Sequence, residues 1–354
     1  MRTQVTMLQV IIVMSILAGI TCAAAQPMPT INEILDNYTQ AMDSTSSFIS
    51  EYETSSVGSH NNNQWGTRYN NVKGYTKGMY RKDDQGHSYS KEYRWGYHGP
   101  NRPDTTEEQA EYLLFVNGDN FTCYYDRSLG GDDKGLLFYR EKGKAGWDSP
   151  DRLSWSNVFY QNHTNSLFLG YVETSVRLDR ILKNANHISL SQKPEMLNGS
   201  KCYVVMADTS RGTYKIWFDS EHGYHPAKLQ VLIDGEDDLS DPDNPGVIRI
   251  PEQSLQQRHT LSNVRFEKID GIWVPIEADR TFYLIFGTKE NFATAKIHFK
   301  RTKIILNPDH DALSSFADPM KNPSQNPEFV NGCIVTLGDK TRYTLQDGEM
   351  IPME

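Results

Sequence analysis

Between Gly199 and Asp234 the sequence GSKCYVVMADTSRGTYKIWFDSEHGYHPAKLQVLID leaves the backbone few options. β-Branched and aromatic residues crowd Lys201–Ala207, Thr213–Asp219 and Ala227–Ile233, each short enough for a strand. In the middle stretch Tyr214, Ile216 and Phe218 alternate with Lys215, Trp217 and Asp219, the period of a pleated strand. The intervening segments Asp208–Gly212 and Ser220–Pro226 supply the Gly, Asp, Ser and Pro that tight turns require. The spacing predicts an antiparallel meander of three strands.

The same signals extend in both directions. Ahead of the strands, Thr30 and Glu33 form a capping box, and Ile31, Ile34, Leu35, Tyr38, Ala41 and Met42 recur at helical spacing. One amphipathic helix is expected there, with an apolar stripe that something must cover. From Ser47 onward SFISEYETSSV, TRYNNVKGYTKGMYRK, HSYSKEYRWGYHG, EYLLFVNGDNFTCYYD and KGLLFYRE read as strands, with a hairpin turn at Asn117-Gly118-Asp119. Helical spacing returns over Val172–Ala185. Further strands are expected at Gln256–Ile269, Ile272–Phe286 and Ala293–Leu306. The acidic run Asp234–Asn244 reads as a solvated loop. The fold class is mainly β with a few helices (α+β).

The chain opens with a basic Arg2, an apolar run Val10–Ala18 and the small residues Ala23-Ala24-Ala25, the pattern of a signal peptide cut after Ala25. A membrane anchor is one rival, but the run is shorter than the ~20 residues that a spanning helix needs. Lipidation at Cys22 is another, poorly matched by Ile20 and Thr21. The expectation is an exported protein of the periplasm or cell envelope, with no transmembrane span in the mature chain. The organisation expected is a signal peptide over 1–25, a main domain over 26–317, a Pro/Asn-rich linker over 318–330 and a short β tail over 331–354. Among 354 residues, 45 acidic against 36 basic side chains give a formal charge of −9, which argues against nucleic acid as a partner. Cys123, Cys202 and Cys333 remain after cleavage, an odd number that leaves at least one thiol unpaired. Sequons at Asn37, Asn120, Asn162 and Asn198 matter only in a eukaryotic secretory pathway, and the signal looks bacterial.

Tests for chemistry come up short. His222 and His225, with Asp219 and Glu221, suggest a metal pair but read more simply as turn residues. Asp241, Asp243, Gly246 and Glu252 imitate a calcium loop, yet Pro245 stands at a ligand position and Pro251 blocks the exiting helix. Lys296, His298 and Lys300 alternate with Ala295, Ile297 and Phe299. A solvated strand face explains them, and a site for an anionic headgroup is the sharper alternative. No G-x-S-x-G elbow, Gly-rich phosphate loop or H-E-x-x-H motif occurs. No enzyme activity, cofactor or metal is expected.

The order helix, antiparallel strands, inserted helix, more strands resembles the bacterial lipoprotein carriers, the LolA/LolB-like proteins. The residues that carry the resemblance are Ile31–Met42, the Tyr214–Asp219 strand, Pro226-Ala227-Lys228-Leu229, and LSNVRFEKIDGIWVPIEADR with Trp273-Val274-Pro275. It is specific over Gly199–Leu306 and architectural before that. This chain is longer than those carriers. The resemblance implies a large antiparallel sheet curved into an incomplete barrel around helices, plus the small C-terminal β tail. It implies a non-enzymatic carrier or sensor whose partner is a lipid or lipoprotein acyl chain, and an envelope protein is a second partner class. In such a fold, Cys202, Val204 and Met206, together with Leu229, Val231 and Ile233, are the candidates to line the interior. The alternatives are that these residues merely pack against the helices, or that the chain is an interaction or envelope-stress domain similar to the RseB-type regulators.

Overall fold

The computed structural model describes residues 27–62, 67–85, 87–95, 110–117, 121–128, 135–141, 177–235, 237, 254–286, 290–317, 331–337, 341–347 and 349–353. Helix α1 spans Ile31–Ser44. It is followed by β1 (Phe48–Asn62), β2 (Thr67–Lys82), β3 (His87–Trp95), β4 (Ala110–Asn117), β5 (Phe121–Ser128) and β6 (Leu136–Glu141). Helix α2 spans Leu178–Lys183 and leads into β7 (His187–Leu190), β8 (Glu195–Leu197), β9 (Ser200–Thr209), β10 (Gly212–Asp219) and β11 (Pro226–Asp234). Then come β12 (Ser254–Ile269), β13 (Ile272–Phe286) and β14 (Phe292–Leu306), and last β15 (Ile334–Leu337), β16 (Arg342–Gln346) and β17 (Glu349–Pro352).

One sheet holds all of these strands. Strands β7 and β8 lie end to end along one edge of β9. From there antiparallel neighbours run β9–β10–β11–β12–β13–β14. Strand β14 pairs with β1, which closes the long excursion of the chain and continues the sheet through β2, β3, β4, β5 and β6. The tail then joins by a parallel pairing of β15 with β6, and β16 and β17 follow as an antiparallel meander. The large sheet is not closed into a barrel. No helix among the described residues is long and apolar enough to cross a membrane.

Local chemistry explains the elements. Thr30 Oγ1 accepts from the Glu33 N–H at 3.2 Å and the Thr30 N–H donates to the Glu33 carboxylate at 2.6 Å, so the capping box starts α1 where expected. The stripe Ile34, Leu35, Tyr38 and Met42 is buried, as are Leu178, Ile181 and Leu182 of α2. Both helices pack on one face of the sheet, in a core with Tyr203, Val205, Ala207, Tyr214, Ile216 and Phe218. A polar clamp ties the helices together. Arg177 grips Asp179 with two N–H groups at 2.7 Å each and reaches Asp43 of α1 at 2.6 Å, while Thr39 Oγ1 donates to Asp179 at 3.0 Å. Burial alone would raise the Asp179 carboxyl, but the Arg177 guanidinium and the Thr39 hydroxyl hold it below the usual carboxylate range.

Strands β2 and β13 have the expected bounds, and β12 and β14 begin within two residues of them. Within Val172–Ala185, helix is described only at Leu178–Lys183. Strands β7 and β8 and the parallel seat of the tail were not expected, because strands of three or four residues carry too little periodicity to register. The signal peptide, the turn at Gly118-Asp119, most of the acidic run, the calcium-like loop and the 318–330 linker lie outside the described residues.

Candidate functional site

The face of the sheet that carries the helices changes character from strand to strand. Register places Ala207, Tyr214 and Val231 in one row, and Val205, Ile216 and Leu229 in the next. All six are buried in the helix-covered core, together with Ile233. This is an apolar wall three strands wide. Tyr38 of α1 meets Phe218 of the same face with ring centroids 5.3 Å apart.

One strand further the wall turns polar. Val231 faces His259 across the β11–β12 pair, and Ile233 faces Gln257. Leu261 faces Arg280, and His259 faces Phe282, across β12–β13. Gln257, His259 and Arg280 are 3%, 2% and 4% exposed. Arg280 Nη2 lies 3.2 Å from His259 Nδ1, and His259 Nε2 lies 3.3 Å from Gln257 Oε1. A guanidinium can only donate, so Nδ1 accepts and the ring is the neutral Nε2–H tautomer, which donates to the Gln257 carbonyl. Beyond it the same rows reach Ile297, then Ser56 of β1 and Gly74 of β2. This part of the face mixes small, half-buried residues such as Thr54, Ser56, Gly58 and Thr76 with Ile297 and the buried Phe299.

A second buried polar group closes that end. Tyr52, Gly78 and Glu92 stand in one row across β1, β2 and β3. The phenol of Tyr52 lies across Gly78, where a Cβ would sit 2.5 Å from the Tyr52 ring, and its O–H donates to Glu92. Arg94 donates to the other Glu92 oxygen through Nε at 3.0 Å and Nη2 at 2.5 Å. Burial and the Glu92 charge push the Tyr52 phenol well above its usual range, so it stays a neutral donor.

The six lining candidates do not share a face. Leu229, Val231 and Ile233 point toward the helices, whereas Cys202 and Val204 belong to a separate cluster with Trp217 and Ala227 on the opposite, outer face. Met206 lies in the same alternation as Cys202 and Val204 and is 44% exposed. The cause is parity: even positions of β9 pair with outward residues of β10, as in Val204 with Trp217. On that outer face Trp217 donates to Glu195 of β8 at 2.7 Å, and the ammonium groups of Lys215 and Lys228 lie 4.6 and 4.5 Å from its ring. Burial and the nearby Asp219 charge push the Cys202 thiol up to about 12, and burial pushes Cys333 up to about 11. Both cysteines are free thiols.

The paired histidines of the β10–β11 turn build structure. His222 Nδ1 meets Asp219 at 2.8 Å, and its ring stacks on Phe266 at 4.9 Å and meets Trp273 edge-on at 4.5 Å. Ser200 Oγ approaches the same Nδ1 at 3.4 Å. A nucleophile relay needs hydroxyl and acid on different ring nitrogens, so these three side chains do not form one. His225 is buried, its Nε2–H donates to the Trp273 carbonyl at 2.9 Å, and burial lowers its pKa to about 4. Among the described residues no group of three or more His, Cys, Asp or Glu side chains is arranged to hold a metal.

Lys296, His298 and Lys300 lie on the outer face among acids. Lys300 stands between Glu277 and Glu53 in register, and His298 meets Asp279 at 2.7 Å. Arg265–Glu277 at 3.1 Å and Lys77–Glu53 at 3.7 Å continue the alternation of sign. That is a solvated ladder of opposite charges. The Gln257–His259–Arg280 chain is what the sequence analysis overlooked. Its signal was present, since Arg280 and His259 fall on the same alternation as Ala278 and Leu261.

No family model matches the chain, and no curated protein matches it. Among solved structures, a DUF1329 family protein from Desulfovibrio piger aligns at 14% identity over 80% of this chain and 95% of its own, with a TM-score of 0.31. A putative outer membrane lipoprotein-sorting protein domain from Vibrio parahaemolyticus aligns at 11% identity over 81% and 98%, with a TM-score of 0.35. MucB, in a Pseudomonas aeruginosa MucA/MucB complex, aligns at 8% identity over 78% and 99%, with a TM-score of 0.24. At TM-scores of this size the alignments carry no argument about what this chain does.

Proposed function

We propose that this chain is an exported, non-enzymatic carrier or sensor that holds an acyl chain, or a similar elongated apolar guest, against the inner face of β9–β11. What supports this reading is the wall that includes Leu229, Val231 and Ile233: continuous, apolar, and covered by two helices rather than by a second sheet. Helix α1 contributes a narrow stripe, so an apolar guest offers the wall the same kind of contact that Ile34, Leu35 and Tyr38 make. Each CH₂ of a guest buried there contributes about 0.8 kcal/mol, so a chain of a dozen carbons is sufficient for firm binding. The outer-face residues Cys202, Val204 and Met206 take no part.

Titration with an uncharged apolar fluorescent probe tests the reading. Saturable binding, competed by long-chain acyl compounds and accompanied by altered hydrogen exchange in α1, is the expected result. Absence of saturable binding defeats the carrier reading and leaves a domain of the same fold that recognises protein alone. Export is tested separately by the mass of the secreted chain, which is expected to begin at Gln26.

A further inference from the structure

We propose that the outer face of β11–β14, β1 and β2, at the end that carries Lys73 and Lys296, docks on an anionic lipid surface. The inference is independent of the carrier reading, because it concerns the side of the sheet turned away from the helices. Three observations converge on it.

The first is charge. Register across β13, β14, β1 and β2 sets Thr281, Lys296, Val57 and Lys73 in one row of the outer face. The same face holds Arg258 opposite Leu232, and Arg68 opposite Asn61. The formal charge of the whole chain is −9, yet this region gathers cations. The other half of the face is balanced: Lys77 pairs with Glu53, Arg265 with Glu277, His298 with Asp279 and Lys303 with Glu51. Lys296 marks where that ladder ends. Arg68, Lys73, Arg258 and Lys296 make no ion pair among the described residues. The acids Asp234 and Glu290 stand at the margins, beside Gln256 and Asn61.

The second is apolar surface in the same place. Val57 and Leu232 are 39% and 37% exposed. Between them, Tyr283 lies opposite Arg258 and Ile285 opposite Phe292, so these three residues also face outward. All three are half-buried, and the rings of Tyr283 and Phe292 stack 6.3 Å apart. Aromatic and aliphatic side chains flanked by Lys and Arg suit the interfacial zone of a bilayer. Rings sit at headgroup level there, and the long cationic stems reach the phosphates.

The third is shape. The side chains stand on an unbroken run of paired strands from β11 through β14 to β1 and β2. At about 4.8 Å per strand, that run offers a surface roughly 24 Å across rather than a cleft. A broad anionic surface reaches several of these cations together, and its potential adds over them. A small anion held at one lysine gains no such sum.

The experiment measures co-sedimentation of the full-length mature protein with vesicles of phosphatidylcholine alone and of phosphatidylcholine mixed with phosphatidylglycerol. At low salt the mixed vesicles are expected to bind about tenfold more tightly or better, and raised salt to remove most of that preference. Lys73→Ser combined with Lys296→Ser is expected to weaken binding to the mixed vesicles by about tenfold or more, since each cation near an anionic surface accounts for roughly a fivefold change. Lys77→Ser combined with Lys303→Ser removes the same charge from the balanced ladder and is expected to leave binding within about twofold. Val57→Ser is expected to weaken binding by a smaller factor that persists at raised salt. Equal binding to both kinds of vesicle, equal losses in the two double variants, or no vesicle binding at all overturns the assignment. Each of these leaves the carrier reading standing, because a soluble probe tests that reading. A dimer in sedimentation velocity that the Lys73→Ser, Lys296→Ser protein fails to form assigns the face to a second copy and also overturns it. Circular dichroism of each variant separates loss of docking from loss of fold, and the comparison of the two lipids with the unaltered protein needs no variant at all.

Discussion

The two ends of the inner face use the same strand pairing to different effect. At the β9–β11 end the inward side chains are apolar apart from Thr209 at the turn, and two helices lie on top. At the end formed by β12, β13, β14, β1 and β2, the inward positions mix apolar Leu261, Ala278 and Phe299 with Gln257, His259, Arg280, Thr54, Ser56 and Gly74. Backbone hydrogen bonding is alike at both ends, so the difference lies in what the side chains do once the pleat has aimed them. The apolar end is a place where stability is concentrated. The other end adds directional contacts among Gln257, His259 and Arg280 to the burial of Leu261, Ala278 and Phe299.

Substitutions break this comparison most visibly at the apolar end. Phe218→Ala, removing a fully buried ring against Tyr38, is expected to cost about 3–5 kcal/mol in urea unfolding. Ser56→Ala at the other end is expected to shift stability by no more than about 0.5 kcal/mol. A loss of similar size at both positions would erase the distinction.

Acidification is the next largest effect. His225 is buried in its neutral form with a pKa of about 4, below the ordinary histidine value of 6.5. Between those values the unfolded chain binds more protons than the folded one, so stability falls as pH drops from about 6.5 to 4, by roughly 3 kcal/mol. Urea midpoints across that range measure it. A flat profile contradicts the burial of His225.

The helix clamp ranks third. Asp179→Asn leaves Arg177 facing an amide and is expected to lose about 1–3 kcal/mol, with faster hydrogen exchange in α1. Because the Asp179 carboxyl is held low, the unaltered clamp contributes at neutral pH and fails only as pH falls below the ordinary carboxylate range. The outer ladder ranks below the clamp: Glu277→Gln is expected to change stability by less than about 1 kcal/mol, because its partners are solvated.

Much of the fold was legible because its signals are local. The Thr30–Glu33 capping box and the stripe through Tyr38 define α1, and the long alternations define β2, β12, β13 and β14. What was illegible depends on relations between distant segments. Asp43 finds its partner Arg177 only in three dimensions. The pairing of β14 with β1, and of β15 with β6, leaves no trace in either strand alone. Half of the lining set was placed on the wrong face for a related reason. Cys202, Tyr203, Val204 and Val205 are all buried, so β9 shows no polar side by which to choose, and parity is fixed only by its register with β10. The polar trio was readable in principle, since Arg280 breaks an apolar alternation in β13, but a lone charge in a strand looks like any outward one.

Native mass spectrometry of the protein purified without detergent exchange tests the central claim most directly. The account predicts a population whose mass exceeds that of the bare chain by one acyl-bearing molecule, released on extraction with organic solvent. A single bare mass, together with no binding of an added apolar probe, would contradict it.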